Sequence, residues 1–175
     1  MILLYLVLVP STFPNVDGLK LRFTNVKCED LSPDFCRFQK CRLAVIKRDV
    51  IALNIDVKLL KVPVNNVTVN LSFYKKASGY RPFLYNITHD FCSFMQNRKR
   101  IMLAKIVLDV LLKKSNINHT CPYDHNIIVD NAILHESQFQ LLPLPRGDYM
   151  VQVKVAAYND WKALVRIYFG IYQDL

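Results

Sequence analysis

Between residues 51 and 73 the chain alternates apolar and polar side chains with a period of two. Ile51, Leu53, Ile55, Val57 and Leu59 alternate with Ala52, Asn54, Asp56 and Lys58, and Val67, Val69, Leu71 and Phe73 alternate with Asn66, Thr68, Asn70 and Ser72. Successive side chains of a β-strand point to opposite faces, so this pattern makes sheets with one apolar and one polar face. An apolar face must bury itself against a second layer. The same alternation occurs at Leu19, Leu21 and Phe23, and in the run Tyr149, Val151, Val153, Val155, which is answered by Ala163, Val165, Ile167, Phe169. Asn159-Asp160 between the last two runs is the predicted hairpin turn. With Arg42–Val50 and further strands predicted over 80–88, 126–134, 148–157 and 162–172, the chain has seven to eight strands. The expected fold is mainly β, an antiparallel two-layer β-sandwich in which residues 19–175 form a single domain.

One segment breaks the rule. From Arg98 to Lys114 the spacing predicts a helix whose polar stripe is narrow, carrying Lys105, Asp109 and Lys113 at helical intervals. The rest is apolar, which exceeds the stripe of about 100° that a helix needs to sit on one sheet. Such a helix is covered by protein on both sides, lines a pocket, meets a membrane surface or forms a dimer contact. It does not span a bilayer: Ile101–Leu112 is interrupted by Lys105 and Asp109 and extends about 18 Å as helix. The only other long apolar run, Met1–Val9, is too short to span. Residues 1–18 read as a signal peptide that lacks the usual basic start, and no transmembrane segment is expected in the mature chain.

Four acceptor sequons support a secretory route: Asn66-Val-Thr68, Asn70-Leu-Ser72, Asn86-Ile-Thr88 and Asn118-His-Thr120. The first two place Asn66 and Asn70 on the same outer strand face, about 13 Å apart. Five cysteines fit an oxidising compartment and leave one thiol over. By proximity one of the N-terminal cysteines pairs with Cys41 and Cys92 pairs with Cys121, and the preferred scheme is Cys28–Cys41 and Cys92–Cys121. No C-x-x-C pair occurs and the four histidines are scattered, so no metal site is expected. The net charge of +9 suggests anionic headgroups, glycans or acidic partners in a secreted chain, in preference to nucleic acid. Arg98, Lys99 and Arg100, at the predicted helix start, are the candidate contact for an anionic headgroup.

Catalytic signatures are lacking. His119, Asp124 and His125 are the one cluster that resembles a catalytic site, and no G-x-S-x-G elbow, phosphate-binding glycine loop or H-E-x-x-H accompanies them. We therefore expect no enzyme activity and no cofactor.

The stretches FTNVKCEDLSPDF (23–35), LNIDVKLLKVPVNNVTVNLSFYKKASGYRPFLYNITHDFCSFM (53–95), SNINHTCPYDHNIIVDN (115–131) and LPLPRGDYMVQVKVAAYNDW (142–161) resemble an insect family of small secreted proteins whose domain is of unknown function. The chain is similar to chemosensory B-type proteins and, more remotely, to the ML lipid-recognition domains of the ganglioside activator and the Niemann-Pick sterol carrier. The resemblance implies an immunoglobulin-like sandwich whose sheets part to admit an apolar ligand. It also implies that Cys28, Cys41, Cys92 and Cys121 are the paired cysteines, while Cys36 stands where a non-cysteine is usual. The expected function is that of a non-enzymatic carrier of a lipid or other small hydrophobic molecule, with Phe73, Phe83, Phe91, Ile106, Val110 and Trp161 lining its site. The alternative is an extracellular protein-interaction module with a solid core.

Overall fold

The computed structural model describes residues 19–139, 142 and 144–173. The expected signal peptide, residues 1–18, lies outside them. The elements in chain order are β1 (Leu19–Asp30), β2 (Cys36–Lys47), β3 (Val50–Leu59), β4 (Val67–Lys76), β5 (Tyr80–Asp90), α1 (Phe91–Gln96), α2 (Met102–Leu112), β6 (Ile127–Ala132), β7 (Gly147–Ala157) and β8 (Asp160–Gln173), with 3₁₀ turns at Arg98–Arg100 and Glu136–Gln138. A five-stranded sheet in the order β1-β8-β7-β4-β5 faces a three-stranded sheet in the order β2-β3-β6. All pairings are antiparallel. The chain is a β-sandwich, as the alternation demands.

Register explains how the larger sheet presents an apolar inner face. Cys28 pairs with Val165, Val165 with Val153, Val153 with Leu71 and Leu71 with Ile87, so one row crosses all five strands. The next row holds Ala163, Val155, Val69 and His89. The first row ends at Cys28, whose disulfide to Cys41 of β2 clips the two sheets together along one edge. Toward one end of the sandwich the core is aromatic. Tyr149 is fully buried, stacks on Phe169 with ring centroids 5.5 Å apart, and donates its hydroxyl to the carbonyl of Pro145. A buried tyrosine whose hydroxyl returns to the backbone just upstream is also a device of other sandwiches.

Three local expectations need correction. The turn between β7 and β8 is Tyr158-Asn159, both at positive φ (53° and 61°), with Ala157 paired to Asp160. A two-residue hairpin of this hand matches the twist of the strands, and it moves the turn one residue earlier than Asn159-Asp160. The helix predicted from Arg98 begins at Met102, because Ile101 is extended (φ −128°, ψ 99°) and Arg98–Arg100 form a separate 3₁₀ turn. Three adjacent cations oppose the positive end of a helix dipole, and the break leaves them outside α2. Finally, α1 was not anticipated. Asp90 caps it by accepting from the Ser93 amide at 2.6 Å, and Cys92 ties it to Cys121.

Replacing Cys28 and Cys41 together by alanine should lower the unfolding free energy by about 3 kcal/mol, the chain-entropy value for a loop of this length. Urea denaturation of the variant beside the parent protein, both non-reduced, measures it.

A candidate ligand cavity between the sheets

The two sheets do not meet along their whole length. Between them lies a void of about 240 Å³. Its floor is the five-stranded sheet, through Leu71, Val153 and Val165 and the row Val69, Val155 and Ala163. Its roof is the smaller sheet, through Ile55 and Val57 of β3 and Ile127 and Val129 of β6. Phe91 and Phe94 of α1, Ala104, Val107, Leu108 and Leu111 of α2, and Ile117 and Tyr123 of the following loop form its side. Phe35 and Cys36 also border it. These positions follow from the period-two pattern, which turns every second residue of each strand inward.

Three polar groups in this wall, His89, Tyr123 and Cys36, are held in neutral forms. His89 lies edge-on to Phe94 with ring centroids 5.1 Å apart, and its buried Nδ1 has no hydrogen-bond partner. Burial pushes its pKa down, opposed by the Asp90 carboxylate. Tyr123 donates its hydroxyl to the His119 carbonyl, and burial pushes its pKa up to about 12, against the Arg98 guanidinium. Cys36 is the free cysteine; its buried thiol donates to the Lys162 carbonyl at 3.6 Å, and burial, then Asp30, raises its pKa. Lys162 brings the one charged side chain among the described lining residues, with its ammonium on the exposed Asp160 carboxylate at 2.5 Å and over the Phe35 ring at 4.9 Å.

A second void of about 40 Å³ lies toward the aromatic end, bordered by Phe23, Leu53, Phe73, Ile106, Val110 and Phe169 among others. The six expected lining residues are thus distributed. Phe91 lines the larger void, and Phe73, Ile106 and Val110 line the smaller. Phe83 packs on Tyr149 (6.0 Å) under the Lys75 ammonium. Trp161 borders neither void and carries the Lys154 ammonium over its ring at 4.3 Å. The aliphatic residues of the main void, Val57, Val69 and Val155 among them, were not singled out from the sequence. Alternation assigns them to an inner face but does not say where two inner faces separate.

The sequons lie at the periphery. Asn66, Asn86 and Asn118 are exposed and Asn70 is half-buried. Two sequons stand opposite each other on β4 and β5, with Asn70 paired to Thr88 and Ser72 to Asn86. The Asn70 amide donates to Asn86 Oδ1 at 2.8 Å and Thr88 Oγ1 at 2.9 Å. Arg98 donates to the Asn118 carbonyl at 3.2 Å, while Lys99 and Arg100 are exposed.

His119 and His125 approach through their Nε2 atoms at 2.9 Å, and their Nδ1 atoms face the carbonyls of Thr120 (2.6 Å) and Asn126 (2.8 Å). Both rings pack against Tyr123, in one three-ring cluster beside the cavity wall. Asp124 is exposed and joins neither histidine. Among the described residues no group of three or more histidine, cysteine or acidic side chains converges.

Residues 69–151 match the model of a family described as a protein of unknown function, DUF1091. The match runs from within β4 into β7 and includes both helices and the Cys92–Cys121 bridge. No curated protein matches the chain.

His89 sets a pH dependence. Its folded pKa is depressed, so its contribution to stability is present above the unfolded value of about 6.5 and is lost as pH falls through the folded value. The denaturation midpoint should therefore fall on acidification below about pH 6.5, and His89→Leu should flatten that fall. Urea midpoints taken at intervals from neutral to acidic pH would show it.

Proposed function

We propose that this chain is a secreted, non-enzymatic binding protein for a lipid or other small hydrophobic molecule held between its two sheets. The observation that carries this reading is the apolar void of about 240 Å³ walled by both sheets and both helices. The volume lies below the range of about 300–1,000 Å³ typical of drug-sized ligands, which favours a single hydrocarbon chain or a similarly slim guest.

The remaining properties support the same reading. Two disulfides suit an oxidising, extracellular setting, and the exposed asparagines of three sequons are open to glycan attachment. The resemblance to chemosensory B-type and ML lipid-recognition proteins agrees with a guest between sheets. Lys99 and Arg100 are exposed and offer charge to an anionic headgroup at a membrane or on a lipid.

Protein secreted from eukaryotic cells should yield a hydrophobic compound on solvent extraction and mass spectrometry, and should bind a fluorescent fatty-acid probe. Val155→Phe, which narrows the void, should weaken the probe by about tenfold, since it removes room for about two methylenes, with circular dichroism unchanged. Empty protein that binds no probe, from repeated preparations, overturns the carrier and leaves the interaction module.

A further inference from the structure

The two voids are separated by α2. Ala104 and Leu108 face only the larger void, and Ile106 and Val110 face only the smaller, whereas Val107 and Leu111 border both. Residues four apart lie on one helical line, so Val107 and Leu111 form a ridge running along the seam. On the sheet side the shared neighbour is Ile167 of β8, itself a wall of both voids. Beyond the ridge, about 40 Å³ of empty apolar space lies unused by anything confined to the larger void.

We propose that Val107 and Leu111 are a partition that sets the length of the hydrocarbon chain this protein accepts. The inference rests on the ligand-binding reading above and deepens it. The ligand class is an amphiphile or hydrocarbon with an unbranched alkyl portion, whose terminal methyl abuts the Leu111 side. While a chain grows within the larger void, each added methylene buries apolar surface and strengthens binding about fourfold. Once its end meets the ridge, further carbons have no room and the gain stops. Shortening Leu111 removes the end stop and joins the smaller void to the larger, so the plateau moves to longer chains.

The test measures affinities of a series of straight-chain fatty alcohols, by displacement of a fluorescent fatty-acid probe, for four proteins: the parent, Leu111→Ala, Val110→Met and the double variant. Val110 borders only the smaller void, and methionine fills irregular apolar gaps. In the parent, affinity should rise with length and then level. Leu111→Ala should push that plateau out by about three carbons, with about a fourfold gain at each step. Val110→Met alone should leave the parent's plateau in place and should cancel most of the gain when combined with Leu111→Ala. That non-additivity is the signature of joined voids. Where Leu111→Ala does not fold, Val107→Ala breaches the same ridge by a smaller step and takes its place.

If Val110→Met leaves the extended plateau untouched, the chain end never enters the smaller void and the partition is overturned. If Val110→Met alone shortens the parent's plateau, the ridge was no barrier and the proposal fails equally. Absence of binding by alcohols of every length, in the parent and the variants, overturns the carrier reading together with the partition. Binding with an unmoved plateau overturns the partition alone.

Discussion

The structure depends on a mismatch of width. Five strands face three, and at about 4.8 Å per strand the larger inner face exceeds the smaller by roughly 10 Å. Cys28–Cys41 joins the sheets at the β1–β2 edge, so the excess falls at the opposite edge, on β4 and β5. An uncovered apolar face of that width requires a further layer. The chain supplies it with helix: α1 contacts β4 and β5, and α2 contacts β6. A helix is about 10 Å across, close to the width that is missing. The surplus of apolar residues on α2 has the same origin, since the helix faces side chains of both sheets.

A helix laid into the gap between two sheets does not interdigitate with them as a third strand would. Its side chains radiate from a cylinder, while those of the sheets stand in rows, and the mismatch of shapes leaves space on either side of its ridge. The voids of about 240 and 40 Å³ are the two sides. The second disulfide holds this arrangement together. Cys92–Cys121 fixes α1 to the loop that brings Ile117 and Tyr123 into the cavity wall, and His119 and His125 both pack against Tyr123. The helix, the bridge and the cavity are thus consequences of one geometric deficit.

Much of this was legible in the sequence, because period-two alternation states a strand's face directly. Every predicted strand is present, and the preferred pairs Cys28–Cys41 and Cys92–Cys121 both form; proximity alone left Cys28 and Cys36 as rivals for Cys41, and the resemblance pointed to Cys28. Strand limits were harder to read. Bulges between Phe23 and Asn25 and between Phe38 and Lys40 shift the pattern by a residue, so β1 and β2 extend well beyond the segments that alternate cleanly. Helix α1 is six residues long, less than two turns, and no period is readable over that span. The cavity lining was least legible. Large aromatics suggest a pocket by their size, yet Phe73 packs on Phe169 and Tyr149 beside the smaller void, and Trp161 lies in β8 beside the register shift between Val155 and Ala156 and borders neither void. Valines bound the larger void because their short side chains leave the space open, and composition does not reveal an absence of volume.

The electrostatics of the wall point the same way as its shape. Burial lowers the pKa of His89 and raises those of Tyr123 and Cys36, and each shift favours the uncharged form at neutral pH. A cysteine activated for attack needs its thiolate, stabilised by a cation or a helix start. Cys36 instead has burial and the Asp30 carboxylate holding its proton in place, and its hydrogen bond to the Lys162 carbonyl favours the thiol. Lys162, the remaining charge, is neutralised by Asp160. The cavity therefore offers a guest dispersion and apolar burial but little charge, and a nucleophile in the wrong protonation state. A wall whose single ammonium is already paired to Asp160 disfavours any guest whose charged group must enter with it, because that charge would lose its hydration without a free partner. On the proposed reading, a guest would bury hydrocarbon against this wall and keep its polar end at the rim.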